Sequence, residues 1–330
     1  MVATIRDVAE AAGVSPSTVS RALTDSELVN PVTRDRVRRA ATRLGYQPNR
    51  AARGLITGRT HNIGLIVPDL ANPFFPGVVK GVRARAHEAD FAMFVADTDE
   101  DEGAEARLAR TLAKQVDGLI LCSTRMKDED LRALSSDITV VLMNRRAVDL
   151  PALTVDNVGG MRQAVSHLAA LGHRRVAYIA GPANSWSSRE RVRGLPPAAE
   201  AAGVELVELG DFPPHFGSGV AAADLALAKG VTAVMAYNDV VALGLLNRFS
   251  TRGVSVPEQM SVVGCDDITL SAMCSPSLTT IALPQKQAGR AAVDLLLSVL
   301  DEEDRANTSL DVELETQLVV RASTGPAPGF

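Results

Sequence analysis

The chain has 330 residues, 46% hydrophobic and 22% charged, enough apolar side chain for two or three globular domains. No run of 18 or more apolar residues occurs, which argues against a membrane span. The opening MVATIRDVAEAAG carries charges where a signal peptide would need an apolar core, so the chain is expected to stay in the cytoplasm.

The net charge of −5 hides a division: residues 1–60 hold ten arginines against five acids, and the other 270 hold 24 basic and 34 acidic groups. A basic head on an acidic body is the footprint of nucleic-acid binding, although solvated charged helix faces produce the same count. The cysteines, Cys122, Cys265 and Cys274, have no paired spacing and read as plain buried thiols. Nothing points to a cofactor.

In chain order, Ile5, Val8, Ala9 and Ala12 have the spacing of one buried helix face. Thr4 caps that helix, with Asp7 three residues later completing a loose capping box. Gly13 ends it, since only a residue without Cβ takes the tight left-handed corner at no cost. Ser15 caps a second helix with Pro16 at its first position and Val19, Ala22 and Leu23 facing inward. Its other face shows Ser17, Thr18, Ser20 and Arg21. Two short helices about a three- to four-residue turn make a helix-turn-helix. Short hydroxyl side chains and an arginine suit a DNA groove, where hydroxyls bond phosphates and arginine pairs with guanine. A helical hairpin with a solvated polar face fits the same pattern. A third helix, capped by Asn30 and begun by Pro31, buries Val37, Ala40, Ala41 and Leu44 and ends at Gly45. The segment YQPNRAARGLITGRT follows; its run 49–55 has too few apolar residues for a stable helix and could order on a polyanion.

The stretches TIRDVAEAAGVSPSTVSRAL, YQPNRAARGL and GRTHNIGLIVPDLANPFF resemble the lactose-repressor/galactose-repressor (LacI/GalR) family of bacterial transcription regulators, over residues 3–322. The resemblance favours DNA over the solvated hairpin. It implies a helix-turn-helix head over 1–47 and a hinge helix over 48–60. The body, 61–330, is then two-lobed and periplasmic-binding-protein-like, with lobes of about 61–156 plus 285–313 and about 157–283 plus 314–323. DNA contact falls by the resemblance to Thr4, Ser15, Pro16, Ser17, Thr18, Ser20, Arg21, Asn30 and Tyr46 in the head. In the hinge it falls to Asn49, Arg50, Arg53 and Leu55, the leucine wedging into a minor-groove step. Gly54 departs from the better helix former usual there and should loosen the hinge by about 1 kcal/mol. The implied partners are a near-palindromic double-stranded operator and a second copy of the chain.

From His61 the pattern alternates strands (NIGLIV, FAMFVAD, DGLILC, ITVVLM, then RVAYIAG, VELVEL, TAVMAY, SVVGCDD) with helical stretches such as 77–89 and 103–115. Runs apolar on both faces, separated by helices, indicate two α/β lobes built on parallel sheets. Ligand sites in such sheets lie beyond the carboxyl ends of the strands. The polar groups there are Asp69, Asn72, Asn144, Arg145, the run 184–191, Asn238, Asp239, Asp266 and Asp267. Each of these also fits a turn or a helix cap. The resemblance narrows the effector-facing set to Phe74, Phe75, Asn144, Arg145, Ser187, Arg191, Asn238 and Asp266, with Trp186 a candidate for stacking on a sugar face. Asn144 stands where an aspartate is frequent. Pro196 and Pro197 depart from the unbroken helix usual there, and could displace the nearby arginines. By the resemblance SLTTIALPQ (277–285) returns to the first lobe and TQLVVRAS (316–323) finishes in the second, while the tail lacks a leucine heptad, leaving a dimer.

An enzyme reading finds no Gly-x-Gly-x-x-Gly after a strand, no phosphate loop and no nucleophile elbow. The five histidines lack metal-ligand spacing, and His167 and His173 flank a helix end where a cationic ring could meet the last carbonyls. A periplasmic solute-binding protein would need an export signal and no basic head. The expectation is therefore a DNA-binding repressor controlled by a small effector, a sugar first. The alternatives are a nucleobase or sugar-phosphate effector, and activation instead of repression.

Overall fold

The computed structural model describes residues 3–24, 29–46, 59–147, 149–301 and 311–329. The expected hinge contacts Asn49, Arg50, Arg53 and Leu55, and the departure at Gly54, lie outside the described residues. The chain divides into two units, Met1–His61 and Asn62–Phe330.

In the first unit, α1 (Ile5–Ala12) begins with the capping box: the Asp7 amide donates to the Thr4 hydroxyl, and the Thr4 amide donates to the Asp7 carboxylate at 2.7 Å. Gly13 closes it at φ 62°, and the Val14 amide reaches back to the Ala9 carbonyl at 3.0 Å. The next helix, α2 (Pro16–Thr24), has the Ser15 hydroxyl accepting from the Thr18 amide at 3.2 Å. Asn30 caps α3 (Pro31–Leu44) through the Val32 amide at 2.9 Å. Val8, Val19 and Val37, fully buried, bring the three helices together with Ala9, Ala12, Ala22, Ala40 and Ala41 around them. Leu44, expected on that buried face, is instead 38% exposed, because it falls in the last turn beyond the reach of α1 and α2.

The second unit holds two six-stranded sheets. The first uses β1 (Asn62–Val67), β2 (Ala92–Asp97), β3 (Gly118–Cys122), β4 (Thr139–Met143), β5 (Ala152–Val155) and β11 (Asp311–Leu314), in the order β11-β5-β4-β3-β1-β2, all neighbours parallel. The second uses β6 (Arg175–Ala180), β7 (Glu205–Asp211), β8 (Ala233–Ala236), β9 (Ser261–Asp266), β10 (Thr279–Ala282) and β12 (Gln317–Val319), ordered β12-β10-β9-β8-β6-β7, with β12 antiparallel to β10. The central strands are buried throughout, as parallel strands covered on both faces must be.

The covering helices of the first sheet are α4 (Phe74–Glu88), α5 (Glu102–Leu112), α6 (Asp128–Ser135) and α12 (Gln285–Leu300). Those of the second are α7 (Asn157–Ala170), α8 (Trp186–Ala202), α9 (Phe216–Ala228), α10 (Asp239–Thr251) and the short α11 (Thr269–Met273). Helices α4 and α12 lie so close that a Cβ on Gly81 would stand 2.2 Å from the Lys286 carbonyl oxygen. The chain passes between the sheets after β5, after β10 and after β11. The strand within SLTTIALPQ therefore pairs in the second sheet, against β9, and only the end of that segment crosses; Thr279–Ala282 matches β9 in register, which keeps it there.

Two further expectations are corrected. Pro196 and Pro197, read as a departure from an unbroken helix, sit in the interior of α8 on its exposed face, and the helix runs through them. His167 and His173 are not cationic caps. Burial pushes both rings below the usual imidazole range, and His173 bonds Thr232, Ser261 and the Gly325 carbonyl, tying residues 323–327 to the second sheet. Cys122 and Cys265 are buried thiols, with burial raising Cys122 to about 12, while Cys274 is half-buried. No described helix is long and apolar enough to cross a membrane, and no described group of His, Cys, Asp and Glu could hold a metal ion.

Candidate functional site

The carboxyl ends of both sheets face a common cleft. Its first-sheet wall comes from Asn72, Phe74, Phe75, Glu100, Ser123, Arg125 and Asn144. Its second-sheet wall comes from Ser187, Arg191, Pro214, Tyr237, Asn238 and Asp266, with Leu283 at a crossing. The Asn72 side chain accepts from the Phe74 amide and starts α4, so that Phe74 and Phe75 enter the cleft as an edge-to-face pair, centroids 5.2 Å apart. Three strand-end residues hold left-handed backbone: Ser123 at φ 52°, Asn144 at 55° and Asp266 at 129°. Such conformations cost free energy in a non-glycine residue and gather where a side chain must be aimed at a site.

Arg191 projects from the first turns of α8 and is 4% exposed. Its Nε donates to Asn157 Oδ1 at 3.0 Å and its Nη1 to the Tyr237 carbonyl, with the guanidinium 4.9 Å above the Tyr237 ring. Asp266 ends β9. Burial holds its carboxyl well above the usual carboxylate range, against the pull of the Arg191 charge, and among the described residues nothing donates a hydrogen bond to it. Asn144 meets both walls. Its Nδ2 donates to the Ser123 hydroxyl at 3.3 Å and its carbonyl accepts from the Ser187 hydroxyl at 3.2 Å, while its buried Oδ1 has no hydrogen-bond partner. Asn238 is bound up in capping α10, its Oδ1 accepting from the Val241 amide at 2.9 Å.

Two residues expected here stand elsewhere. Arg145 turns under the loop that follows β3, donating to the Thr124 carbonyl at 3.1 Å, the Met126 carbonyl and Asp128 at 2.6 Å. Trp186, the first residue of α8, is half-buried outside the lining. Asp239 is structural: its carboxylate accepts from Ser271, Thr280 and the Ile268 amide. Asp69 caps the Ala71 amide, and Asp267 pairs with Arg321 at 2.6 Å. Glu100, Arg125 and Tyr237 were not anticipated, though each follows a strand end by one to three residues, the signal that located Asn144 and Asp266.

In the head, Ser15, Pro16, Ser17 and Arg21 are exposed along α2, with Thr18 and Ser20 half-exposed. The Ser15 hydroxyl lies 2.8 Å from those of Ser17 and Thr18, a cluster of exchangeable donors and acceptors. Thr4 and Asn30 already cap helices, and Tyr46 packs against the head core.

A basic helix-turn-helix joined to a two-sheet body with a polar cleft defines a DNA-binding regulator that can also take up a small molecule. The family model for bacterial regulatory proteins of the lacI family matches residues 4–49, and that for a periplasmic binding protein-like domain matches 165–324. The transcriptional repressor CytR of Escherichia coli (strain K12) is 33% identical over 334 residues, covering 99% of this chain and 97% of the repressor. Among solved structures, the lac repressor dimer bound to operator and the anti-inducer ONPF superposes at TM-score 0.88, with 29% identity over 98% of this chain and 100% of that one. The complex of the transcriptional regulator CelR with cellobiose matches at TM-score 0.71, with 34% identity over 97% and 99%. The chain belongs to the LacI family of bacterial transcriptional regulators and is a DNA-binding transcription factor.

Proposed function

We propose that the protein is a repressor that binds a near-palindromic operator as a homodimer and is controlled by a small effector, a sugar first, held in the cleft between its two sheets. The domains are the head over 1–47, the hinge over 48–60 and the effector-binding and dimerisation body over 61–330. Ser15, Pro16, Ser17, Thr18, Ser20 and Arg21 carry the groove contacts, with Arg50, Arg53 and Leu55 acting in the hinge. Its work on DNA places the protein in the cytoplasm. The cleft is read as a binding site rather than an active site.

One observation carries the effector reading. Asn144, whose Oδ1 is buried without a partner, and Asp266 line a cleft that Phe74 and Phe75 line with aromatic surface. A buried acceptor left unpaired costs free energy, and a ligand that donates hydroxyl hydrogens while stacking an apolar face removes that cost. Cellobiose in the CelR complex supports a sugar here. The effector shifts the DNA-bound population only by its differential affinity for two arrangements of the body.

The test is thermal unfolding of the parent and of Asp266→Ala against a panel of sugars, sugar phosphates and nucleobases. The expected result is a ligand that raises Tm in the parent by several degrees and leaves the variant unmoved. A ligand that stabilises both equally binds elsewhere and overturns the cleft assignment.

A further inference from the structure

Arg125 and Glu100 are the two charged residues of the first-sheet wall, and no expectation drawn from the sequence singled them out. Arg125 stands three residues beyond β3 and is 6% exposed. Its Nε donates to Glu100 Oε2 at 3.0 Å, its Nη2 to Glu100 Oε1 at 3.2 Å and its Nη1 to the Ser123 carbonyl at 3.0 Å. The Arg125 backbone amide is held in turn by Glu105 Oε2 at 2.8 Å. Glu100 is anchored too: it follows β2 in left-handed backbone, φ 58°, with its amide donating to the Pro68 carbonyl at 2.8 Å.

This fork-on-fork pair decides what charge the cleft can accept. Planar guanidinium is the side chain best shaped for a phosphoryl group, but here its fork is already filled by a carboxylate. A phosphorylated ligand would have to displace the half-buried Glu100 from its pair with the buried Arg125 and would then lie beside an uncompensated carboxylate. On the opposite wall Arg191 gives two of its three guanidinium nitrogens to Asn157 and the Tyr237 carbonyl, and its face is covered by the Tyr237 ring. Asn144 Oδ1, which has no partner, is an acceptor, and a phosphate dianion cannot satisfy it because it brings only acceptors itself.

We infer that Glu100 is the charge filter of this cleft: by holding Arg125 in a neutral pair it excludes phosphorylated and other anionic ligands, so that the effector is an uncharged, hydroxyl-rich molecule. This inference rests on the cleft being the effector site. Glu100 acts by repulsion as much as through any contact it makes, which is how specificity between close analogues is built. With Glu100→Gln the carboxylate charge is gone, the shape is kept, and Arg125 faces the cleft as a cation.

The experiment measures affinity by calorimetry and thermal shift for matched pairs: glucose and glucose 6-phosphate, ribose and ribose 5-phosphate, uridine and uridine 5′-monophosphate. Inorganic phosphate alone is the probe that needs no knowledge of the natural ligand. The full-length parent, Glu100→Gln and, as a second variant, Glu100→Ala are compared. In the parent, the phosphorylated member of any pair that binds is expected to be the weaker by at least about 10-fold, and phosphate alone to give no shift. In the variants that ratio narrows by about 10-fold or reverses, and phosphate stabilises the protein. A parent that binds a phosphate ester as well as its neutral partner overturns the inference. So do variants that remain as indifferent to phosphate as the parent. If neither variant folds, the parent's preference within the pairs still decides. Adding Asp266→Ala separates the two readings: hits that survive it show that the cleft is not the effector site, whereas hits that it abolishes, with phosphate esters among them, refute only the filter.

Discussion

Asp266, proposed to meet the effector, is held at the expense of stability. Burial is the main cause of its raised pKa, Asp239 adds to it and Arg191 opposes it. A folded-state pKa above the unfolded one means that the native protein holds the proton more tightly. Asp266 thus contributes stability in full below the ordinary carboxylate pKa of about 4, and that contribution is lost as pH rises through the raised value. Asp266→Asn keeps the shape and removes the ionisation. At pH 8, without ligand, it should be more stable than the parent by on the order of 1 kcal/mol or more, about 2 °C in Tm, with the gap closing as the pH falls towards 4. Thermal melts across that range check this, and a parent at least as stable as the variant at pH 8 would count against a strained, ligand-ready carboxylate. Asp239, at the end of the neighbouring strand and also buried, is raised by burial too, but three donors meet it and oppose the rise. Sequence reading grouped Asp239 with Asp266 and Asp267, since a strand-end aspartate looks the same whether it faces a cleft, a helix end or Arg321. Burial and partners separate them.

At the scale of elements, α8 carries Arg191 and Ser187 into the cleft in spite of two interior prolines. A proline in a helix interior takes away an amide donor, here from the carbonyls of Val192 and Arg193 four residues earlier. Those turns lie on the exposed side, where water can bond the freed carbonyls, so the helix continues and the buried stripe of Ser187, Arg191, Leu195 and Ala198 is kept. Pro196→Ala and Pro197→Ala should each raise stability by about 1–3 kcal/mol in urea unfolding, leaving ligand affinity unchanged. Loss of affinity in either variant would show that the prolines set the position of Arg191. The start of α8 was not legible from sequence because the polar run 184–191 gives no apolar periodicity; Ser185 capping the Ser188 amide is what begins the helix. The head was easier to read. Its caps at Thr4, Ser15 and Asn30 and its stops at Gly13 and Gly45 depend on local chemistry within four residues, which a sequence displays directly. The strands were readable for a similar reason, as continuous apolar runs. Where within SLTTIALPQ the chain leaves the second sheet was not, since pairing of β10 with β9 is a long-range choice that the composition of the segment does not express. Arg125 and Glu100 were hidden likewise: each looks like a solvated charge until β1 places the ends of β2 and β3 on either side of it.

For the whole molecule, the basic first sixty residues and the acidic body divide the work. The head supplies phosphate attraction, with affinity that should fall steeply with salt. The body supplies the ligand, and three passages of the chain between the sheets mean that a change of sheet-to-sheet angle must act on all three at once. Ser187 donating to the Asn144 carbonyl, and Gln285 to the Asp266 carbonyl at 3.0 Å, already bridge the two walls at the residues the ligand is read to touch. On the proposed reading, these bonds couple ligand binding to the sheet-to-sheet angle. The central claim is that occupation of this cleft changes DNA affinity. The most direct test is a fluorescence-anisotropy titration of a near-palindromic duplex, selected by the protein from a random pool, with and without the cleft ligand, for the parent and for Asp266→Ala. The account predicts a change in Kd of about 5- to 150-fold for the parent and none for the variant. An unchanged Kd in the parent, at ligand concentrations that saturate the cleft, would contradict it.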